Sequence, residues 1–495
     1  MEPLLIGWAT TDITPDRNCA LAGQFAERIS QYVEKPITAT AMAIKKGDQQ
    51  AVFCSCELVS TRGELVEDVR EALKDNTVGL DISRVMLNAT HVHTGPCYGR
   101  TETNKSGFRT QIEKYLPKDK KYVESADIND NPDIISQVEV NKMLVERISA
   151  VILKAWASLE PGSFTNAFGR APIGMCRRAA YTDGSAAMWG TTDTAMFEAV
   201  EGGSDSGIEL LYVFDEAKAL KGIVVNLACP AQCVQHRLFV SPDFWGEARM
   251  LLQQRFGKDL FILEQCSAAG DQCPVDLVRW VEPETDVNDP NITRIDPKKR
   301  KADPSMFDLK GMKLAGRRLA NEVIRVYEDG LDEVQEDPEF IHEVTELQLP
   351  LRKVTYADVK AAKRAIREYM EEKEGDVNYN DAAILQVYMG IMDREKRQEH
   401  QHILPMEAHF IRLGSVAFAT NTFELFLDFG NKIKARSKAE QTFLVQLCCG
   451  AQGYLPTAKA EKGGHYSAFV SSGTVDHVGG DQLVMETLTH LDRMF

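Results

Sequence analysis

Short apolar runs that end abruptly in small or polar residues are the strongest constraint on how this chain folds. Residues 222–228 (GIVVNLA) form a continuous apolar run, which is typical of a strand in the middle of a sheet. Residues 260–264 and 415–419 are similar runs, and each leads into a segment that carries an ionisable side chain. Because ligands of open sheets gather at strand ends, we expect functional groups at these junctions.

Strand-like and helical segments are interleaved along the chain. Two strands flank a Gly47-Asp48 turn and predict a β-hairpin, and the predicted strands are 39–46, 50–56, 84–88, 222–228, 260–264, 343–351, 408–413 and 415–419. Helical spacing of the apolar residues predicts helices at 64–73, 141–159, 242–256, 310–328, 357–372 and 421–435. This mixture favours an α/β fold with large mixed β-sheets covered by helices.

The chain is expected to form a single domain over residues 1–495. It contains no internal repeat, and no Gly/Ser/Pro-rich linker divides it. Residues 100–135 are rich in Gly, Asn, Lys and Asp and have few apolar anchors, which predicts a surface insertion. Long loops of this kind are often lids or substrate-binding loops, and a plain surface excursion is the alternative.

The net charge and the cysteine content limit the classes of protein to which this chain can belong. The formal net charge is −16, which disfavours binding to nucleic acid through phosphate contacts and stable association with an anionic membrane. No apolar run of about 18 residues and no signal peptide are seen, and the 11 cysteines are an odd number in mostly apolar contexts. We therefore expect a cytoplasmic protein with reduced thiols and a small-molecule substrate; the oligomeric state stays open.

Two histidines directly follow the predicted strand 84–88. His91 and His93 are spaced i and i+2, so on extended chain their side chains project to the same side. His236 follows the strand 222–228, and Glu424 follows the strand 415–419. Two histidines and one carboxylate are a frequent catalytic zinc set that leaves one position for water, although the His91/His93 pair alone is weak evidence.

Several segments, taken together and in order, resemble motifs of the neutral/alkaline ceramidases. Residues 88–96 (NATHVHTGP) resemble the family's N-x-T-H-x-H-S-G-P signature, and residues 7–15 (GWATTDITP) resemble its opening D-I-T-P motif. Residues 269–274 (AGDQCP) resemble its G-D-x-S-P motif. The two tyrosines of 453–457 (GYLPT) and 463–466 (GGHY) lie twelve residues apart, as in its C-terminal motif.

The resemblance implies a neutral-ceramidase-like catalytic domain without the family's C-terminal immunoglobulin-like domain, and it implies roles for particular residues. His91, Glu424 and Tyr454 match zinc ligands of the family. His93 and Tyr466 match groups that hydrogen-bond the substrate carbonyl or the tetrahedral oxyanion, which stabilises the transition state. The cofactor implied is zinc, which lowers the pKa of a bound water and polarises a carbonyl.

Two positions depart from the family pattern. The family's second histidine ligand lies in an A-x-H-P-type segment, where this chain has Ala228-Cys229-Pro230, so we expect His236 to replace it, with Cys229 as the alternative ligand. Cys273 occupies the serine position of G-D-x-S-P and is a candidate catalytic group that lines the site. Metal-activated water is favoured over Cys273 as the nucleophile, because a cysteine nucleophile needs an activating neighbour.

Two further residues are candidates for substrate binding. Arg178, in an Arg177-Arg178 pair that resembles a segment of the family, would suit a carboxylate, phosphate or sugar hydroxyl at a pocket mouth; a solvated hairpin is the alternative. His465 adjoins Tyr466 and is the second candidate. The leading hypothesis is a zinc-dependent amidohydrolase that acts on a linear N-acyl amide of a soluble substrate. The alternatives are a zinc enzyme that acts on a carbohydrate-derived substrate and a non-catalytic binding protein.

Overall fold

The computed structural model describes residues 2–75, 79–101, 112–123, 131–279 and 307–495. The described strands lie, in chain order, at Leu5–Asp12 (β1), Asn18–Cys19 (β2), Tyr32–Val33 (β3), Thr38–Lys46 (β4), Gln49–Cys56 (β5), Val85–Ala89 (β6), Ile134–Ile135 (β7), Glu160–Arg170 (β8), Met175–Cys176 (β9), Arg178–Tyr181 (β10), Ala186–Met188 (β11), Phe197–Val200 (β12), Gly207–Asp215 (β13), Leu220–Leu227 (β14), Phe239–Val240 (β15), Phe261–Cys266 (β16), Gln272–Cys273 (β17), Phe340–Pro350 (β18), Ile403–Leu413 (β19), Val416–Thr420 (β20), Glu424–Leu425 (β21), Gln441–Val445 (β22) and Tyr454–Leu455 (β23).

The described α-helices lie at Gly63–Leu73 (α1), Gln137–Ala157 (α2), Phe244–Phe256 (α3), Asp308–Arg325 (α4), Tyr356–Glu372 (α5), Tyr379–Arg397 (α6), Leu427–Arg436 (α7), Ala458–Gly463 (α8) and His477–Met494 (α9). The longest, α2, begins at a capping box in which Ser136 and Glu139 satisfy each other's backbone N–H groups. Its residues Leu144, Ile148 and Ile152 recur at helical spacing and are fully buried. This apolar stripe fixes the face that α2 turns to the sheet.

Two sheets pack face to face and helices cover their outer faces. The larger sheet has eight strands in the order β16-β14-β13-β8-β1-β4-β5-β6, and the smaller has four in the order β18-β19-β20-β22. Side chains of both sheets share one core, in which the ring centroids of Phe53 and Phe418 are 5.0 Å apart. Helices α1 to α4 cover the larger sheet, and α7 and α9 cover the smaller. The result is a four-layer helix–sheet–sheet–helix arrangement.

Strand ends from both sheets meet at one end of this sandwich. The pairs β5/β6, β14/β16 and β20/β22 are each parallel, so the carboxyl ends of their strands lie side by side. The segments that follow them are joined by backbone hydrogen bonds: Ser267 N donates to Leu227 O at 2.9 Å, and Gln446 N donates to Cys266 O at 3.1 Å. Residues that follow these strands are thereby brought together, as the sequence predicts.

The predicted α/β fold with large mixed sheets is confirmed, and most predicted elements match the observed ones within a few residues. The predicted helix 421–435 is wrong at its start. Residues 421–426 form a bend and the two-residue strand β21, and helix α7 begins only at Leu427. The sequence analysis predicts no helix at α6, α8 or α9. Of the predicted insertion 100–135, residues 102–111 and 124–130 lie outside the described residues. No described helix combines the length and apolar character needed to cross a membrane.

We expect the sheet–sheet interface to dominate stability. Phe418 is fully buried between Phe53 and Phe443, whereas Phe168 is 45% exposed. Phe418→Ala should lower the free energy of unfolding by about 3–5 kcal/mol, because it leaves a cavity between the sheets. Phe168→Ala, the matched control, should change it by less than about 1 kcal/mol. Denaturant unfolding measures both, and equal effects of the two substitutions would contradict this packing arrangement.

Candidate functional site

The site begins at His91, which lies two residues beyond Ala89, the last residue of β6. Its Nδ1 lies 2.6 Å from the carbonyl oxygen of Val59, and because a carbonyl only accepts, Nδ1 carries the proton. The Nε2 atom faces Glu424 in the site and holds either a lone pair or a second proton. Its backbone φ is +60°, an uncommon conformation for a non-glycine residue that often marks functional positions. A histidine oriented in this way by a backbone carbonyl is the usual arrangement of a metal ligand.

Glu424 and Tyr454 face each other across the parallel pair β21/β23. Glu424 Oε2 lies 3.3 Å from His91 Nε2, and both side chains are mostly buried. Burial alone would raise the pKa of Glu424, but His91, Arg177 and a hydrogen bond from Tyr454 hold it below its usual value. Burial and the charge of Glu424 raise the pKa of the Tyr454 phenol well above its usual value.

These three side chains fit a divalent metal ion. Glu424 Oε2 only accepts, so its contact of 3.3 Å with His91 Nε2 requires either a proton on that nitrogen or a cation between the two atoms. An imidazole nitrogen and a carboxylate oxygen are donors suited to zinc and similar ions, and the phenol oxygen of Tyr454 lies beside them. The three expected ligands are therefore brought together, although they lie far apart in the sequence.

Two hydrogen-bonding groups border these donors. Tyr466 Oη lies 3.4 Å from Tyr454 Oη, and burial raises the pKa of Tyr466 to about 12. The ring centroids of His93 and His91 are 4.9 Å apart, and neither nitrogen of buried His93 has a hydrogen-bond partner among the described residues. Burial and the neighbouring His91 and Arg177 lower the pKa of His93 well below its usual value. At neutral pH His93 is therefore a neutral donor with an unused N–H, and Tyr466 is a protonated donor.

Arg177, which the sequence analysis does not select as a site residue, contacts the candidate ligand Tyr454. Its Nη2 donates to Tyr454 Oη at 3.3 Å and to Gly270 O at 3.0 Å, and its Nη1 donates to Gln232 Oε1 at 3.2 Å. The guanidinium is buried, so its positive charge acts on the site in a low dielectric. The Arg177-Arg178 pair is the sequence signal for this residue, and the structure places Arg177, rather than Arg178, against Tyr454.

The structure places Arg178 in the protein interior and not at the pocket mouth that the sequence predicts. Its side chain is fully buried, and its guanidinium forms an ion pair with Glu201, with Nη2 3.0 Å from Oε1. The remaining donors bind Ser467 Oγ and the backbone carbonyls of Ala460, Gly464 and Tyr466. Since every N–H is used inside the protein, Arg178 holds the loop that carries Tyr466 and has none left for a substrate.

The structure places Cys273, the candidate catalytic thiol, in the protein core. The side chain is fully buried in a small apolar cluster with Ala179, Val275 and Leu277. Its thiol donates to Val275 O at 3.4 Å, and burial raises its pKa to about 12. Cys273 is thus a protonated core thiol. His465, the other substrate-binding candidate, is exposed, and its Nδ1 accepts a hydrogen bond from Met188 N at 3.1 Å; its role stays a prediction.

His236 lies near the site without completing a ligand group. It packs edge-on against Phe307, with ring centroids 5.5 Å apart, and its charge contributes to the low pKa of His93. Among the described residues, the one set of three His, Cys, Asp or Glu donors within 4.8 Å of one another is elsewhere, at Glu407, His409 and Cys449. The alternative ligand Cys229 is fully buried, and burial raises its pKa well above the usual value. The expected replacement ligand stays a prediction.

Solved structures of ceramidases share this arrangement of sheets and helices. The neutral ceramidase from Pseudomonas aeruginosa matches with a TM-score of 0.65 and 15% identity, over 100% of this chain and 75% of that chain. The chain has the neutral-ceramidase fold. A solved structure of a ceramidase complexed with C2 matches with a TM-score of 0.63 and 14% identity, over 100% of this chain and 76% of that one. No protein-family model and no curated protein matches the chain.

We expect Arg178 to act through stability. Arg178→Met should lower the free energy of unfolding by about 3–5 kcal/mol, because it leaves the Glu201 carboxylate buried without its partner. Arg325→Met is the matched control, since that arginine is 61% exposed in its ion pair with Glu322 and should cost less than about 1 kcal/mol. Thermal and denaturant unfolding measure the difference. An unchanged stability in Arg178→Met would contradict the role given to this ion pair.

Proposed function

We propose that the chain is a zinc-dependent hydrolase that cleaves a linear N-acyl amide bond with water as the nucleophile. The observation that carries this proposal is the buried approach of His91 Nε2 to Glu424 Oε2 at 3.3 Å, with Tyr454 beside them. The neutral-ceramidase fold supports it, because solved structures with this fold are described as ceramidases. A site that only bound a ligand would have no evident use for this donor set.

His91, Glu424 and Tyr454 would hold the zinc ion. Catalytic zinc sites commonly use three protein ligands and keep one position open for water. A bound zinc ion would lower the pKa of that water and polarise the scissile carbonyl. His236 is the candidate for an additional ligand, and this role would require its loop to bring the ring closer to His91 and Glu424.

The residues around these ligands suit the charge changes of amide hydrolysis. His93 and Tyr466 are both uncharged donors, so each can donate a hydrogen bond to the carbonyl oxygen as it becomes negative. Arg177, whose Nη2 donates to Tyr454 Oη, favours the anionic forms of Tyr454 and Glu424. Water adds to the carbonyl carbon, the C–N bond breaks, and the products are a carboxylate and an amine.

The proposed substrate is a soluble N-acyl compound. Phe25 is 40% exposed and its ring lies edge-on to Tyr466, with centroids 5.4 Å apart, so an apolar surface adjoins the proposed oxyanion donor. The carbohydrate alternative relied on a polar pocket at Arg178, and that side chain has no free donor. A net charge of −16 also disfavours approach to an anionic membrane surface.

A panel of N-acyl amides with increasing acyl length tests the proposed activity. We expect the protein to release the free amine. This activity should be lost after treatment with a chelator and should return when zinc is added. A panel of N-acetylated amino sugars, assayed in parallel, distinguishes a linear N-acyl amide substrate from a carbohydrate-derived substrate. Amide cleavage that resists complete metal removal would contradict the zinc-dependent reaction, and no cleavage of any amide would contradict the hydrolase.

Tyr466→Phe tests the proposed oxyanion donor. Removal of the hydroxyl should lower kcat by roughly 10²–10³-fold with little change in KM, because the hydrogen bond strengthens as charge develops on the oxygen. Tyr356→Phe is the matched control, since Tyr356 is 84% exposed. Steady-state kinetics on the best amide substrate measure both variants. An unchanged kcat in Tyr466→Phe would remove Tyr466 from the mechanism.

A further inference from the structure

A second cluster of ionisable side chains lies apart from the proposed zinc ligands. Glu407 and His409 are two residues apart on β19 and project from the same face of the strand. Cys449 follows β22, and its backbone N–H donates to Leu87 O at 2.8 Å. The ligand-type atoms of these three residues all lie within 4.8 Å of one another. Arg70, from α1, reaches the same cluster.

The hydrogen bonds of the cluster determine where its protons lie. His342 Nδ1 is 2.7 Å from Gln50 O, and since a carbonyl only accepts, this nitrogen carries the proton. Burial lowers the pKa of His342 to about 3, so its Nε2 is a lone pair that accepts from His409 Nδ1 at 3.0 Å. His409 Nε2 in turn lies 2.8 Å from Glu407 Oε1, a carboxylate that also accepts. His409 therefore carries a proton on both nitrogens and is positively charged.

Arg70 supplies a second, permanent positive charge. Its Nη1 and Nη2 donate to the two oxygens of Glu407 at 2.8 and 2.7 Å, which is a bidentate ion pair. Its Nη2 also lies 3.9 Å from Cys449 Sγ, and His409 Nε2 lies 4.0 Å from the same sulfur. Two cations thus face one carboxylate, and the cluster is balanced when Cys449 is a thiolate. A divalent metal ion here would have to displace the His409 proton next to the Arg70 guanidinium.

The position of Cys449 suits reaction with a small molecule. Of the eleven cysteines nine are buried, and only Cys97 and Cys449 are partly exposed. The Glu407 side chain beside it is 33% exposed, so the cluster opens to solvent. Cys448 donates its thiol hydrogen toward Cys449 Sγ at 4.0 Å. Together with His409 and Arg70, this contact lowers the pKa of Cys449 well below its usual value.

We propose that Cys449 is a reactive thiolate and a modification site for small electrophiles of the hydroperoxide class. The sulfur attacks one oxygen of hydrogen peroxide and forms an S–O bond as the O–O bond breaks. Sulfur is oxidised to a sulfenic acid, and the leaving hydroxide takes a proton and becomes water. The proposal is independent of the zinc site, because none of its groups is a proposed zinc ligand.

The pH dependence of alkylation tests the thiolate. The intact protein, with a chelator present, is treated with iodoacetamide between pH 5 and 9, and modified peptides are quantified by mass spectrometry. Cys449 should react with a midpoint in the range of about 3.5–7.5 that activated cysteines show. Cys97 is the internal control, because burial raises its pKa and its midpoint should lie at or above about 8.5. Equal midpoints for the two residues would overturn the proposal.

Two variants test the role of the partners. His409→Gln removes one of the two cations that face Cys449 Sγ, and Arg70→Gln removes the other. Each substitution should raise the pH midpoint of Cys449 alkylation and slow the reaction at pH 6 by roughly fivefold or more. The smaller fraction of thiolate at this pH outweighs the higher nucleophilicity of a thiolate whose pKa is higher. The Cys97 rate must stay unchanged, which shows that the fold is intact; if His409→Gln unfolds, Arg70→Gln decides. A Cys449 midpoint that moves in neither folded variant would contradict the proposed ion pair.

Trapping of sulfenic acid tests the electrophile class. Wild-type protein and Cys449→Ser are exposed to hydrogen peroxide and then to a sulfenic-acid-selective dione probe. We expect the adduct at Cys449 in the wild type, in excess over Cys97, and no adduct on the 448–449 peptide of Cys449→Ser. A thiolate that alkylates at low pH but gives no adduct with peroxide would overturn the hydroperoxide assignment.

Discussion

The buried contact between His91 and Glu424 is the constraint on which the rest of the site depends. Glu424 Oε2 only accepts, so its contact of 3.3 Å with His91 Nε2 needs a proton on that nitrogen or a cation between the two atoms, and burial strengthens that need because water cannot screen them. Val59 O fixes the tautomer of His91 through Nδ1, and the pairing of β21 with β23 fixes Glu424 beside Tyr454. The geometry of the donors is thus set by the backbone before any ligand binds.

Polar ties between the two sheets keep these donors in place. Asn226, on the larger sheet, donates to Leu444 O on the smaller sheet at 2.7 Å. Gln446 Oε1 accepts from the backbone N–H groups of Ala269 and Leu425 at 3.1 and 3.0 Å, and both of these segments adjoin the site. Because these groups are buried, breaking one leaves an unsatisfied polar atom, so the strand ends are held in one arrangement. The Arg178–Glu201 ion pair does the same for the loop that carries Tyr466.

Much of the candidate site is predictable from the sequence, because functional groups tend to lie at the ends of strands. His91 and Glu424 are predicted from their positions after apolar runs and from the motif resemblance, Tyr454 is predicted from the resemblance alone, and the structure brings the three side chains together. Arg177 was missed because neighbouring residues at a strand start point to opposite sides, and sequence alone does not say which side faces the site. The sequence analysis does not predict the Cys449 cluster for a different reason. Arg70, Glu407 and Cys449 come together only in the tertiary fold, and they share no local sequence motif.

Metal content tests the central claim most directly. Elemental mass spectrometry is applied to wild type, His91→Ala, His236→Ala, Cys449→Ser and the control His400→Ala, an exposed histidine. The account predicts about one zinc ion per chain in the wild type, in Cys449→Ser and in the control, and its loss in His91→Ala. Loss in His236→Ala as well would make His236 a further ligand, and retention would confine the set to His91, Glu424 and Tyr454. A wild-type protein without bound metal, or zinc retained at full occupancy in His91→Ala, would contradict the proposed centre.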